Sequence, residues 1–402
     1  MSRGSDSNST RRQFIVGSAA VSSALLAGCT GGDGSDEGTT TEGTTAASGT
    51  TSGDGTTESE GSETTESASG SYSVNMAPVG EVTFESVPKK WLVYEAGYAD
   101  MGVALGQADG LQAVGYPPRF HTKYYDELPG VSVDKESMKP LYDGGIDKEI
   151  FFELNCGVHL IDPKWLTNNS AFGLEQNDLD QIEERVAPFV GNTIFRRTDS
   201  WHDYEYYSMY EAFEKVAEVF QQKPRYDAFK KLHDSFISDV QSKLPEKGPE
   251  AALVFAAKDE PGEFTPYRLS GKGTNKKQFR DLRVQDAFEG SDVQPRSTSS
   301  SGKIDYETLL EIDPEAILIR GHETKTAKEF ENTILSYMKD HSAASQLTAV
   351  QNGQVFRGGP IYEGPIHNLF LTERFAKAFF PDTYSGKLFD RQKVADVVNG
   401  DF

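Results

Sequence analysis

Residues 224–244 have the sequence PRYDAFKKLHDSFISDVQSKL, which predicts a single long amphipathic helix in the middle of the chain. Pro224 suits the first turn of a helix, whereas Pro245, Gly248 and Pro249 stop it. The apolar face has three- and four-residue spacing and consists of Tyr226, Phe229, Leu232, His233, Phe236, Ile237, Val240 and Leu244. At ~1.5 Å per residue the helix is roughly 30 Å long, about the width of a small domain. We therefore expect it to connect two halves of the protein rigidly; a helix hairpin inserted within one domain is the alternative.

Short apolar strands alternate with helical patterns on both sides of this helix. The strand patterns occupy residues 91–94, 111–116, 157–162, 251–257, 315–320 and 354–357. The amphipathic helical patterns include residues 178–186, 206–221 and 326–341. This alternation predicts an α/β fold with mainly parallel sheets.

The N-terminal residues carry the pattern of an export signal. Residues 9–15 are STRRQFI, and the paired arginines indicate the twin-arginine export route. Residues 17–27 are apolar but too short to span a bilayer, and LAGC at 26–29 resembles a lipobox. We expect residues 1–28 to be removed and Cys29 to carry lipid, which would hold the protein at the outer face of the cell membrane. A cytoplasmic protein with a frayed N-terminus is the alternative.

The segment after the lipobox has the composition of a disordered tether. Residues 30–72 are almost entirely Gly, Ser, Thr, Asp, Glu and Ala, with no Lys or Arg. Such a segment buries too little apolar surface to offset the entropy lost on ordering. We therefore expect residues 29–72 to form a flexible tether between the lipid and the folded part.

The acidic charge and the cysteine count narrow the class of protein. The formal net charge is −22, which argues against nucleic acid as a partner. A strongly acidic exported protein is typical of a halophile such as a haloarchaeon, because salt screens the self-repulsion; an ordinary acidic secreted protein is the alternative. Apart from Cys29 the only cysteine is Cys156, so no intramolecular disulfide can form. We expect Cys156 to be a small buried apolar side chain.

Several short motifs, in this order, resemble those of the iron-siderophore and vitamin B12 substrate-binding proteins. They are EVTF at 81–84, PKKWLVY at 88–94, VALG at 103–106, DGLQAVG at 109–115, DKEIFFEL at 147–154, IDYETLLEIDPEAILI at 304–319 and GPIHNL at 364–369. The resemblance implies two Rossmann-like lobes joined by a single long helix, with a ligand cleft between the lobes. It implies an N-terminal lobe at 73–222, an interlobe helix at 223–246 and a C-terminal lobe at 247–402.

The same resemblance implies a receptor that works with the permease and ATPase of an ABC transporter. It implies a monomer without a cofactor, which captures and delivers a ligand without covalent chemistry. An enzyme on a similar two-lobe fold is the alternative, but the sequence has no G-x-S-x-G, H-E-x-x-H or P-loop motif.

Candidate ligand residues follow the predicted strands, because open α/β sheets bind ligands at the carboxyl ends of their strands. They are Tyr94, Tyr98, Arg119, His121, Tyr124, Trp165, Tyr267, Arg268, Arg357 and Tyr362. Each arginine presents a permanent planar cation, and the aromatic rings could pack on a planar or macrocyclic ligand. Ordinary surface packing explains any one of these residues equally well. As a set they favour a bulky anionic ligand, of which a ferric siderophore is the simplest.

Other ligands of the cleft stay open at this point. Heme would use His121 or Tyr124 as an axial ligand and arginines for its propionates. A corrinoid is equally compatible with the family resemblance. Bare ferric ion would need several Tyr or His at one point, and the seven histidines of the chain are scattered.

Acidic surface residues are candidates for docking to the permease. The resemblance implies one acidic residue on top of each lobe, and by position these are Glu175 in the first lobe and Glu323 or Glu329 in the second. A solvated acidic surface explains any single one of them as well.

Overall fold

The first strands of the protein form a small antiparallel hairpin. The computed structural model describes residues 70–298, 300 and 302–402, so the export signal, Cys29 and nearly all of the predicted tether lie outside the described residues. Strands β1 (Tyr72–Met76) and β2 (Gly80–Phe84) pair with Val74 opposite Val82. Alternate side chains of both strands are buried, as expected for a sheet with one face on the core. No helix in the described ranges is long and apolar enough to cross a membrane.

The first lobe is built on a parallel sheet of four strands. They are β3 (Trp91–Val93), β4 (Leu111–Val114), β5 (Lys139–Pro140) and β6 (Val158–Leu160), in the order β5-β4-β3-β6. Its helices are α1 (Ala96–Ala104), α2 (Glu149–Leu154), α3 (Pro163–Asn168), α4 (Gln176–Arg185) and α5 (Met209–Val219). Every residue of α1 is buried, as expected for a helix whose residues are mostly apolar on all sides; Asp100 is the one charged exception.

The predicted long helix is α6 (Lys223–Gln241), of 19 residues. Its buried face includes Tyr226, Phe229 and Phe236, and these have the predicted spacing. Phe229 packs edge-on against Phe213 of α5 with a ring distance of 5.7 Å, so α5 and α6 are packed neighbours. The chain then enters the second sheet.

The second lobe is built on a mixed sheet of five strands. They are β7 (Glu250–Phe255), β8 (Thr265–Tyr267), β9 (Gln285–Asp286), β10 (Ala316–Arg320) and β11 (Val355–Arg357). The order is β11-β10-β7-β8 with β9 also paired to β7, and only β8 runs antiparallel to its neighbour. The α/β class and the parallel sheets are therefore as predicted.

The helices of the second half end with a long segment that returns to the first lobe. They are α7 (Lys277–Asp281), α8 (Tyr306–Ile312), α9 (Ala327–Phe330), α10 (Ser336–Asp340), α11 (Thr348–Gln351), α12 (Pro365–Phe379) and α13 (Arg391–Asn399). Residues 331–335 form a π-helical turn that joins α9 and α10, within one helical stretch predicted at 326–341. α12 packs against both α1 and α7, and α13 packs against α6 and α1. The predicted boundary at 247–402 therefore assigns to the second lobe a helix, α13, whose neighbours α1 and α6 both precede that boundary.

The start of α12 is docked on α1 at very short range. A Cβ atom at Gly97 would lie 2.8 Å from the carbonyl oxygen of Glu363, and one at Gly364 would lie 2.5 Å from the carbonyl oxygen of Gly97. The Asp100 carboxylate accepts hydrogen bonds from the backbone N–H groups of Ile366 at 2.8 Å and His367 at 3.2 Å. Two glycines and one buried acceptor therefore set where the two lobes meet.

The packing of α6 gives the first test of this fold. Phe229→Ala removes a fully buried ring, so we expect the free energy of unfolding to fall by about 3–5 kcal/mol. Lys231→Ala on the exposed face of the same helix is the matched control and should change it by less than about 0.5 kcal/mol. Urea denaturation followed by circular dichroism measures both. Equal stability of the two variants would contradict the buried face assigned to α6.

Candidate functional site

A cavity of about 530 Å³ lies where the strands of both sheets end. Tyr94 and Tyr116 follow β3 and β4 of the first sheet, while Phe255 and Tyr267 end β7 and β8 of the second. The lining residues are Tyr94, Tyr116, Arg119, Tyr142, Trp165, Asn169, Ser170, Ala171, Phe172, Phe195, Arg196, Phe255, Tyr267, Arg296, Ser297, Thr298, Ile361 and Tyr362. The volume is in the range of small-molecule sites.

The floor and walls of the cavity are a connected aromatic cluster. The rings of Tyr94 and Trp165 meet at 4.7 Å and 90°, and those of Phe195 and Tyr362 at 4.9 Å and 78°. The ring centre of Phe172 lies 4.8 Å from that of Tyr94. Burial raises the pKa of the Tyr94 hydroxyl above its usual range and that of Tyr362 to about 12, so both phenols are protonated at neutral pH. The cluster offers a rigid apolar surface with few ionisable groups.

The only charged side chains among the described lining residues are arginines. They are Arg119, Arg196 and Arg296, and the lining contains no Asp, Glu, Lys or His. The turn Pro117–Arg119 presents Arg119, whose guanidinium carbon lies 5.7 Å from the ring of Tyr116 and 5.9 Å from that of Tyr362. Planar guanidinium groups bind carboxylate, phosphate or phenolate oxygens in pairs. The cavity can therefore hold a bulky apolar or aromatic ligand with negative charge.

A direct contact between the lobes lies at one side of the cavity. The Asp199 carboxylate accepts from Arg196 Nε at 3.1 Å with one oxygen, and from the N–H and the hydroxyl of Thr298 with the other, the hydroxyl at 2.7 Å. Thr198 donates to the carbonyl oxygen of Arg296 at 2.9 Å. We call residues 196–199 and 296–298 the interlobe clasp. It couples two of the cavity arginines to the contact between the lobes.

Half of the sequence-predicted ligand residues line the cavity. These are Tyr94, Arg119, Trp165, Tyr267 and Tyr362. They come from both lobes, and four of them lie in segments that follow parallel strands, as expected. The exception is Tyr267, the last residue of the antiparallel strand β8.

The other predicted ligand residues lie elsewhere and have different partners. Tyr98 is buried and its hydroxyl donates to the carbonyl oxygen of Asn192 at 2.9 Å. Arg268 donates to the carbonyl oxygen of Ser291 at 3.3 Å. The guanidinium of Arg357 donates to the carbonyl oxygen of Lys325.

His121 and Tyr124 belong to a buried charged cluster around Glu323, outside the cavity lining. The Glu323 carboxylate accepts from Tyr124 at 2.7 Å and pairs with Arg374 at 2.6 Å and Lys123 at 3.1 Å. Although burial opposes ionisation, these cations hold the pKa of Glu323 well below its usual range. Burial lowers the pKa of the nearby His121 to about 3.

The same cluster contradicts the docking role predicted for Glu323. Only 4% of the residue is exposed and its carboxylate is already paired, so a partner protein cannot reach it. Glu175 and Glu329 are exposed, at the starts of α4 and α9. They therefore remain accessible to a partner.

Arg196 and Arg296 are the cavity-lining arginines that the sequence did not reveal. Arg196 lies in the irregular segment between α4 and α5, and Arg296 in the long loop between β9 and α8. Neither directly follows a predicted strand, so the strand-end rule does not select them. Their positive charge in an acidic chain was the one available signal.

The described residues include no group of three His, Cys, Asp or Glu side chains placed to hold a metal ion. The buried Cys156 does not add one, since burial raises the pKa of its thiol to about 12 and a metal ligand must be the thiolate.

The interlobe clasp gives a test of the site geometry. Asp199→Ala removes the acceptor of the Thr298 N–H, so amide hydrogen exchange at Thr298 should become faster by about tenfold or more. Asp203→Ala, at an exposed acid nearby, is the control and should leave that rate unchanged. Exchange measured by mass spectrometry or NMR on the whole protein distinguishes the two. An unaltered rate in Asp199→Ala would exclude the clasp.

Comparison with known proteins agrees with this architecture. Residues 92–362 match the family described as periplasmic binding protein, and no curated protein matches the sequence. Similar solved structures include the petrobactin-binding protein YclQ of Bacillus subtilis, at 15% identity and a TM-score of 0.53, over 77% of this chain and 99% of that one. The Fe3+-hydroxamate transport protein of Saccharomonospora viridis has 14% identity and a TM-score of 0.51, over 77% and 99%.

A third similar structure is the heme binding protein HmuT, at 15% identity and a TM-score of 0.53, over 79% of this chain and 93% of that one. Identities this low show a shared fold but do not identify the ligand of this chain. The family match, however, spans residues 92–362 of the 402. On that match the chain belongs to the periplasmic binding protein family.

Proposed function

We propose that this solute-binding protein captures a ferric siderophore and delivers it to the permease and ATPase of an ABC importer. Three arginines and no acidic, lysine or histidine side chain line an aromatic cavity, in a chain whose net charge is −22. That concentration of positive charge is the observation that carries the proposal. A siderophore with ionised chelating oxygens offers both the negative charge and the bulk that such a cavity favours.

A chelated ligand suits the cavity better than free ferric ion or heme. The two axial ligands considered for heme, His121 and Tyr124, do not line the cavity. The tyrosines that do line it include Tyr94 and Tyr362, whose pKa values burial raises, and this opposes the phenolate form that binds iron. A siderophore brings its own ligands, so the protein needs only charge and shape. A corrinoid is the second candidate, because the aromatic walls could also pack on a macrocycle.

The proposed setting is the outer face of the cell membrane. The twin-arginine pattern at 9–15, the lipobox at 26–29 and the acidic tether at 30–72 support export and lipid attachment at Cys29. We propose a monomer, since the cavity is completed by residues of one chain. No enzymatic step and no resident cofactor are part of the proposal.

The cavity arginines provide the decisive binding test. The full chain is titrated with ferric enterobactin, a trianionic tris-catecholate, and the fluorescence of Trp165 in the cavity reports occupancy. We expect saturable quenching with a Kd of about 1 μM or below. Arg119→Gln should weaken binding about tenfold or more, because a charge-assisted contact is lost.

Arg268→Gln is the matched control, since this arginine lies outside the cavity lining and donates to the Ser291 carbonyl. The affinity of this variant for ferric enterobactin should stay within about twofold of the wild-type value. Heme, cobalamin and the uncharged ferrichrome are titrated in parallel. Tighter binding of cobalamin than of every iron chelate would replace the siderophore by a corrinoid, and silence towards all four ligands would reject the proposal.

Docking to the permease is tested on Glu175 and Glu329, the two exposed candidates. Charge reversal at both, Glu175→Arg with Glu329→Arg, should abolish transport of the bound ligand, since complementary charge directs such contacts. Ligand affinity should not change, because neither residue lines the cavity. Glu289→Arg, at another exposed acid, is the control. Unimpaired uptake by a folded double variant would eliminate both residues as docking sites.

A further inference from the structure

A buried cation lies directly behind the aromatic wall of the cavity. Arg320, the last residue of β10, has no exposed surface. Its guanidinium carbon lies 5.1 Å from the centre of the Tyr267 ring, and Tyr267 is one of the lining residues. One aromatic side chain therefore separates this positive charge from the ligand space.

The charge of Arg320 is not neutralised by an ion pair. Its Nε donates to the carbonyl oxygen of Gly358 at 3.3 Å and its Nη2 donates to that of Asn275, while Nη1 has no partner. None of the ion pairs in the described part of the chain involves Arg320. A guanidinium remains protonated even when buried, so the cation persists.

One candidate for a counter-charge is Glu363, which follows Tyr362 in the cavity wall and interacts electrostatically with Arg320. It is completely buried; Oε2 accepts from Gln278 Nε2 at 3.3 Å, and Oε1 has no partner. Burial raises the pKa of Glu363 to about 8, although Arg320, Arg374 and Arg280 act against the shift. At neutral pH the Glu363 carboxyl is therefore mostly protonated, so the ionised carboxylate that acts on Arg320 is that of Glu323, which Arg374 and Lys123 already pair.

We propose that Arg320 and Glu363 form a charge-selecting pair behind the cavity: Arg320 attracts an anionic ligand through the Tyr267 wall, and anion binding favours the protonated form of Glu363. The inference rests on the proposed capture of an anionic ligand. It assigns a role in selecting that ligand to two residues that do not contact the ligand. Both side chains lie in the protein interior, where charge interactions are screened less than at the surface.

The sign of the coupling follows from the charges. An anion in the cavity repels the ionised form of Glu363, so occupancy raises the pKa of this carboxyl above its ligand-free value of about 8. Binding then takes up a proton, and affinity is highest below that value. It falls as pH rises from about 8 to the pKa of the complex, where it levels off. If occupancy raises the pKa by about one unit, the total loss of affinity is about tenfold.

Other charged groups face Glu363 and must be separated from it. Arg320 of β10, Arg280 of α7 and Arg374 of α12 contribute fixed positive charge, while Asp100 of α1 contributes a titratable carboxyl. Burial raises the pKa of Asp100 to about 7, so it titrates in a neighbouring range. A variant at Glu363 is therefore needed to assign the effect.

The experiment measures affinity from about pH 6.5 to about pH 9.5 for the full chain with ferric enterobactin and with ferrichrome. Calorimetry in buffers of different ionisation enthalpy counts the protons taken up. We expect the wild type to lose about tenfold in affinity for ferric enterobactin over this range and to take up protons near pH 8. Ferrichrome carries no charge, so any affinity for it should not follow this profile.

Glu363→Gln cannot ionise, so its affinity for ferric enterobactin should be independent of pH above about 8 and its proton uptake should vanish. Arg320→Lys keeps the positive charge. Arg320→Gln removes it and should bind ferric enterobactin about tenfold or more weakly than Arg320→Lys does. The same pH profile in the wild type and Glu363→Gln, or a flat wild-type profile with tight binding, would overturn the pair while leaving the proposed function intact. No binding of ferric enterobactin at any pH would overturn the pair, and silence towards ferrichrome, heme and cobalamin as well would also overturn the proposed function.

Discussion

The arrangement of the cavity depends on one buried contact, the Asp100 carboxylate at the start of α12. Asp100 lies on α1 of the first lobe, and its carboxylate accepts hydrogen bonds from the backbone N–H groups of Ile366 and His367 in the first turn of α12. Those groups would otherwise be unsatisfied in the interior, so a single carboxylate both completes the helix and positions it. The residues immediately before this helix include Tyr362, a wall of the cavity, and Glu363. Any shift of α12 on α1 would therefore move the cavity wall and the buried charge behind it together.

The fold could largely be predicted because its strongest determinants are local. The strand patterns at 91–94 and 315–320 each became a buried parallel strand, because periodicity and stop signals act over a few residues. The helix predicted at 224–244 became α6, which ends three residues earlier, at Gln241. The strand Lys139–Pro140 was missed, since its residues are exposed and carry no apolar alternation. The return of α13 to the first half could not be foreseen either. It depends on contacts such as Asn399 with the carbonyl oxygen of Pro129, which are far apart in sequence.

The site was predictable only where the topology itself determines it. Tyr94 and Tyr362 lie in loops at the carboxyl ends of strands, and the geometry of parallel sheets brings such loops together. Arg268 and Arg357 satisfied the same rule, yet their side chains bond to carbonyl oxygens outside the cavity lining. The rule locates a loop but gives no side-chain direction. Arg196 shows the converse, because an irregular segment brings it to the cavity through its contact with Asp199.

The charge distribution of the protein explains why part of the positive charge is buried. The chain as a whole carries −22, so an anionic ligand meets repulsion at long range, and attraction must come from groups close to the cavity. Salt weakens exposed charges, since the Debye length is only about 3 Å at 1 M ionic strength. Arg296 is exposed, so salt at that concentration would screen most of its attraction for an anion. Arg320 is completely buried, so counter-ions cannot approach its guanidinium. On the proposed capture of an anionic ligand, the buried Arg320 would therefore keep attracting that ligand at salt concentrations that also screen the repulsion by the acidic surface.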